Sequence, residues 1–127
     1  MRESGENYLE TILILKEEKR CVRSVDIANR LGYAKPSVSR AVGLLKDRGF
    51  VTVGDNGDLC LTEAGFKKAN AIYERHKIIS KLLSDLLCVD KNTADSDACR
   101  IEHVISEESF DAIKKYVTEN LPEADGA

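Results

Sequence analysis

No apolar run in this chain approaches the roughly 20 residues that a helix needs to cross a bilayer. Met1-Arg2-Glu3-Ser4-Gly5-Glu6 lacks the basic-then-apolar order of a secretory leader, so the cytoplasm is the expected compartment. The four cysteines (Cys21, Cys60, Cys88 and Cys99) are irregularly spaced and contain no C-x-x-C pair, which argues against a disulfide framework and against a zinc ribbon. Cys21, Cys60 and Cys88 lie in apolar surroundings and read as small core residues. There is no internal repeat and no low-complexity stretch. What is present describes a soluble globular protein: 127 residues, 43% hydrophobic and 32% charged, room for one domain or two small ones sharing a core.

Net charge is only −3, which disfavours indiscriminate binding to nucleic acid. Its distribution is uneven. Between Lys19 and Arg48 eight basic residues face two acids, Asp26 and Asp47, a local charge of +6 inside an acidic chain. A confined basic surface follows, although a charge run can also be merely a solvated face.

Residues 6–18 read as a helix with Tyr8, Leu9, Ile12, Leu13 and Leu15 inward. Ser24 reads as the N-cap of a short second helix, with Asp26 in its first turn, Ile27, Ala28 and Leu31 inward and Gly32 past its end. Pro36 suits the first position of a third helix, whose inner residues are Val38, Ala41, Val42 and Leu45. Two β-rich runs, Phe50–Val53 and Leu59–Thr62, flank a turn containing Asn56-Gly57, which predicts a hairpin. Two capped helices and a hairpin in this order make a winged helix-turn-helix. On the third helix Ser37, Ser39 and Arg40, beside Lys35, lie on the outer face near the N-terminus, where a recognition helix presents side chains to base edges. Lys46, Arg48 and Asn56 would contact phosphates.

Thr62 caps a long helix running to about Leu87, with Phe66, Ala69, Tyr73, His76, Ser80, Leu83 and Leu87 spaced as one seam, a surface for packing or dimerisation. After a polar link at Asp90-Lys91-Asn92, a helix over 93–105 places Ala98, Ile101 and Ile105 on one face. Ser106 caps a last helix with Phe110, Ile113, Val117 and Leu121 inward, and Pro122 stops it. The expected fold is mostly α with a small β-hairpin wing: an N-terminal winged helix-turn-helix over 1–62, an all-helical dimerisation domain over 63–121, and a frayed tail over 122–127.

Within the helix over 93–105, Cys99, Glu102 and His103 are spaced i, i+3 and i+4 beside the apolar face. A thiol, a carboxylate and an imidazole together suit a transition ion better than calcium or magnesium. The alternative is a core thiol, a surface glutamate paired with Arg100, and a partly exposed imidazole. The metal reading gains if Glu10 and His76 approach from two other helices, and the chain has only two histidines, both on faces able to converge.

Ala98-Cys99-Arg100-Ile101-Glu102-His103-Val104-Ile105-Ser106 is similar to a signature segment of the diphtheria toxin repressor and manganese transport regulator family. Tyr8-Leu9-Glu10-Thr11-Ile12, Asp26-Ile27-Ala28, Pro36-Ser37-Val38-Ser39, Leu61-Thr62-Glu63-Ala64-Gly65 and Arg75-His76 also match, so the resemblance spans about Asn7 to Leu121. It implies a homodimeric metal-dependent repressor that binds a palindromic DNA operator and controls genes of metal-ion homeostasis. It assigns His76, Cys99, Glu102 and His103 as metal ligands, and Glu10 as a carboxylate ligand of the manganese-responsive branch. It places Pro36, Ser37, Ser39 and Arg40 at the base-facing positions. Asn7 stands where one branch has Met and the other Asp, so it is a weaker neutral ligand. Asp95 and Ser80 replace a His and a Glu of an ancillary site. The third, SH3-like domain of some members is not expected here.

Glu10, Glu102 and a Cys99 thiolate repel one another without metal, so neutralising them by a divalent ion is the expected switch for DNA binding. Thiolate and imidazole must be deprotonated to bind, so metal affinity falls at acid pH. The soft Cys99 places iron(II) ahead of manganese(II). A winged-helix regulator sensing thiol oxidation through Cys99, or a small organic ligand, is the alternative. An enzyme is not expected, because the chain has no H-E-x-x-H or similar signature.

Overall fold

The computed structural model describes residues 3–121, with side chains placed from residue 5; the expected tail over 122–127 and the helix stop at Pro122 lie outside them. The elements run α1 (Glu3–Glu18), α2 (Ser24–Leu31), α3 (Lys35–Asp47), β1 (Val51–Val53), β2 (Leu59–Leu61), α4 (Glu63–Lys81), a π-helical turn over Leu82–Leu86, α5 (Lys91–Ile101) and α6 (Glu107–Asn120). The mostly α architecture with a two-stranded hairpin agrees with the sequence reading. The chain divides into two compact units, Met1–Ala71 and Ile72–Ala127, the division falling inside α4. No helix among the described residues is long and apolar enough to cross a membrane.

In the first unit the 3.6-residue period of α1 buries Tyr8, Leu9, Ile12, Leu13 and Leu15. Ile27 and Ala28 of α2, Val38, Val42 and Leu45 of α3, and Val51 and Leu59 of the hairpin are buried with them. Each fully buried aliphatic side chain contributes about 1.5–3 kcal/mol. The cap of α2 is Arg23, one residue before the expected Ser24, because Asp26 Oδ2 accepts from the Arg23 backbone N–H at 2.8 Å. Gly32, at φ 72°, ends α2 in the left-handed region that a Cβ disfavours, and its N–H reaches Ala28 O. Lys35 opens α3, so Pro36 occupies the second position.

The strands pair antiparallel, Val51 with Leu61, Thr52 with Cys60 and Val53 with Leu59. Leu59 points inward, so Cys60 points out; it is exposed, contrary to the expected core position. Asp58 braces the wing, accepting from Lys16 Nζ at 2.8 Å and from the Val22 N–H at 2.9 Å. The Lys16 hydrogen bond is the chief reason its carboxyl titrates at about 2 instead of 3.8. Arg23 Nε donates to Asn56 O at 2.8 Å, tying the wing tip to the start of α2. Thr62 Oγ1 caps α4 by accepting from the Gly65 N–H at 3.1 Å. Gly65 passes so close to the strand entry that a Cβ there would stand 2.0 Å from Phe50 O.

The second unit packs Ile78, Ile79, Ala98, Phe110 and Val117 together, with Leu82, Leu83, Leu86, Ile101, Ile105, Ile113 and Leu121 around them. The widened turn after α4 is closed by Leu87 N–H to Leu82 O at 3.0 Å. It shifts the phase of the expected seam, leaving Leu87 58% exposed. Cys88 follows at φ 60° and is also exposed, and Cys21 is half-buried, so none of the three expected core thiols is fully enclosed. Asp90 is the N-cap of α5 rather than part of a link, accepting from the N–H groups of Asn92 and Thr93. The helix therefore starts at Lys91 and ends at Ile101, short of the expected 105. Ser106 caps α6 as expected, its Oγ 3.0 Å from Ser109 N, with Glu107 and Glu108 in the first turn.

Candidate metal centre

Glu102 is the C-cap of α5 and His103 follows it in a turn, so these two are held by a cap and not by a continuing helical face. The Glu102 side chain is fully buried. One carboxylate oxygen, Oε1, accepts from His76 Nδ1 on α4 at 2.9 Å. The other, Oε2, lies 3.3 Å from His103 Nε2 but finds no hydrogen-bond partner among the described residues. The His103 side chain is only 2% exposed. The glutamate is thus no surface acid paired with Arg100, whose guanidinium reaches Ser96 at 3.4 Å and Asp97 at 3.9 Å.

A buried carboxylate with an unsatisfied oxygen is costly, and the usual compensations are a paired cation or a metal. Two imidazoles around one carboxylate form a donor set suited to a borderline divalent ion. Two ligand atoms each about 2.0–2.2 Å from one ion stand roughly 3 Å apart, close to the His76–Glu102 separation. The residues present therefore fit a metal. The hydrogen bond to Glu102, outweighing burial, raises the His76 imidazole above its ordinary range.

Cys99 is half-buried on α5, one turn before Glu102. Ser80 and Asp95 satisfy each other, the buried Ser80 hydroxyl donating to Asp95 Oδ1, with Lys91 Nζ 3.6 Å from the same oxygen. That hydrogen bond holds the Asp95 carboxyl below its ordinary range. In the first unit, Glu10 is a buried carboxylate on α1 and Asn7 is half-buried one turn earlier. The backbone carbonyl of Asn7 accepts from Thr11 Oγ1 at 2.8 Å, leaving its side-chain amide outside that bond.

Also in the first unit, Lys35, Pro36, Ser37, Ser39 and Arg40 are all exposed on the N-terminal half of α3. Lys46 and Arg48 at its C-terminal end and Asn56 at the wing tip are exposed too. Val38, Val42 and Leu45 on the opposite side are what fix this face outward.

Two participants escaped the sequence reading. The Asp58 brace joins residues far apart in the chain, and no local pattern announces it. Arg75 was noted only as the neighbour of His76, yet its Nη1 donates to the carbonyls of Glu102 at 3.3 Å and Ile105 at 3.1 Å. A basic residue beside a candidate ligand histidine was the available signal.

Residues 1–58 match the family described as the iron dependent repressor, N-terminal DNA binding domain, and residues 62–121 match its metal binding and dimerisation domain. An uncharacterized HTH-type transcriptional regulator of Methanocaldococcus jannaschii is 32% identical over 118 residues, covering 92% of this chain and 94% of that protein. The diphtheria toxin repressor of Corynebacterium diphtheriae is 36% identical over 106 residues, 84% of this chain and 47% of that protein, so the chain spans about half of that relative. Among solved structures, the IdeR of T. acidophilum superposes with a TM-score of 0.79 at 26% identity, covering 92% of this chain and 53% of that one. The manganese regulator SloR shares the fold, with a TM-score of 0.80 at 24% identity over 90% of this chain and 53% of that one. By these matches at both ends, the chain belongs to the iron-dependent repressor family.

Proposed function

We propose that this chain is a metal-dependent transcriptional repressor that binds a palindromic operator as a homodimer and governs genes of metal-ion homeostasis. The observation that carries the reading is the Glu102 carboxylate, fully buried between two imidazoles with one oxygen unsatisfied, inside the segment matched to a metal-binding domain. His76, Glu102 and His103 form the core of the proposed ligand set, with Cys99 as a thiolate, Glu10 as a second carboxylate and Asn7 as a neutral donor. A divalent ion supplies the positive charge that lets these groups occupy one site. Cys99 favours iron(II) over manganese(II), because a soft thiolate suits manganese poorly. The functional division is proposed near residue 62, with DNA recognition before it and metal binding and dimerisation after it. The proposed compartment is the cytoplasm.

On the DNA side, Lys35, Pro36, Ser37, Ser39 and Arg40 are proposed to face bases, and Lys46, Arg48 and Asn56 to hold phosphates. A coupling of only about 1–3 kcal/mol between metal and operator changes occupancy roughly 5–150-fold. The test is operator binding, selected from random duplexes, measured anaerobically against iron(II), manganese(II) and a chelator. Metal should tighten binding, iron(II) at lower concentration than manganese(II), and H76A and E10Q should lose the response. DNA affinity indifferent to every divalent ion would sink the reading. A metal response that survives E10Q would remove Glu10 from the ligand set.

A further inference from the structure

We propose that Arg75 is a positioning residue for Glu102 and His103, acting through the backbone of the turn that carries them. The proposal rests on the metal-binding reading above. Because α5 ends at Ile101, the carbonyls just beyond it have no following helical N–H to accept from, as the last carbonyls of a helix lack partners of their own. The turn is closed internally by Val104 N–H and Ile105 N–H, both to Ile101 O at 3.0 Å. Those bonds leave the carbonyls of Glu102 and Ile105 available, and Arg75 Nη1 donates to both. The Arg75 guanidinium carbon stands 5.4 Å from the centroid of the Phe110 ring, so α6 supports the planar group from one side. One side chain on α4 therefore links three pieces of the second unit: the α4 turn that bears His76, the turn that bears Glu102 and His103, and the start of α6. Both bonds come from one nitrogen whose two N–H groups are fixed in the guanidinium plane that lies over Phe110, and a lysine ammonium, which has no such plane, does not combine them with that stacking.

Charge and geometry here act in opposite directions. As a bare cation, Arg75 opposes the arrival of a divalent ion at the neighbouring ligands. As a brace for the turn, it favours that arrival by holding the ligands in place before the ion binds. Substitution separates the two effects by sign.

The experiment titrates the full chain with cobalt(II) alone, by calorimetry and by the visible absorption of the bound ion, which reports coordination geometry. Wild type, R75K and R75Q are compared. Removing outer support of metal ligands costs about 10–100-fold in affinity, and R75Q is expected to lose that much. R75K is expected to bind more weakly than wild type although its charge is retained, and both variants should show an altered cobalt spectrum. Unchanged or tighter binding by R75Q, or full affinity in R75K, would overturn the role of Arg75. A wild-type chain that binds no cobalt overturns the metal reading itself, whereas normal wild-type binding with an unaffected R75Q overturns only the positioning role. Circular dichroism shows whether R75Q folds; if it does not, R75K, with stem and charge intact, decides alone.

Discussion

Glu102 concentrates the chemistry of the second unit in one side chain. Sequence spacing brought it together with His103, and the resemblance added His76. Its burial was not legible, because it depends on α4 packing against a turn more than twenty residues later in the chain. E102Q separates the cost of a buried anion from its use. Without metal, E102Q should melt at the same temperature as wild type or higher, since a buried charge with an unsatisfied oxygen is removed. An excess of about 100 times the dissociation constant stabilises a metal-binding protein by about 2.7 kcal/mol, and that metal-dependent rise in melting temperature should vanish in E102Q. A lower melting temperature in the metal-free variant would mean that the carboxylate serves the apo fold. Asp58 gives a second test at this scale. Its folded carboxyl titrates at about 2 against an ordinary 3.8, so its stabilisation is present above 3.8 and is lost as pH falls through about 2. Thermal melts of wild type and D58N should therefore differ by a constant margin above pH 3.8 and converge as pH approaches 2.

Whole elements were easier to foresee than their ends. The helix-turn-helix, the hairpin, and the caps at Thr62 and Ser106 rest on local chemistry: apolar period, a capping hydroxyl, an Asn-Gly turn. What failed depends on contacts distant in sequence. The end of α5 was placed too late because neither glycine nor proline marks it; Arg75, from another helix, takes up the carbonyls beyond it. The π-helical turn after α4 likewise has no sequence signature, and it displaces Leu87 from the seam drawn by spacing. Cys60 misled because both neighbours are leucines, and only strand alternation decides which of the three points inward. The entry to α4 provides an element-scale test. In G65A the new Cβ would meet the Phe50 carbonyl at 2.0 Å, and that oxygen already accepts from the Thr62 N–H at 3.0 Å. Overpacking against backbone costs about 1–3 kcal/mol, and urea unfolding of G65A should show a loss of that size. An unchanged midpoint would mean that the hairpin and the start of α4 yield without cost.

The molecule as a whole carries a net charge of −3 and is proposed to bind a polyanion, so what counts is how many of its cations remain available. The basic stretch holds eight, but the fold has already engaged three of them. Lys19 pairs with Asp26 at 2.9 Å, Arg30 makes two bonds to Glu18 at 3.0 Å, and Arg23 is turned toward the Asn56 carbonyl. Arg20, Lys35, Arg40, Lys46 and Arg48 have no such engagement among the described residues. Within that stretch, these five are the cations left to displace condensed counterions in the proposed operator complex. At about −0.9 per neutralised phosphate, five cations on each protomer of the proposed dimer limit the slope of log affinity against log salt to roughly −9. All eight acting together would give about −14. Measured binding between low and moderate salt distinguishes the two. The wing that Arg23 fastens in place thus also sets a ceiling on how strongly ionic strength governs the proposed operator complex.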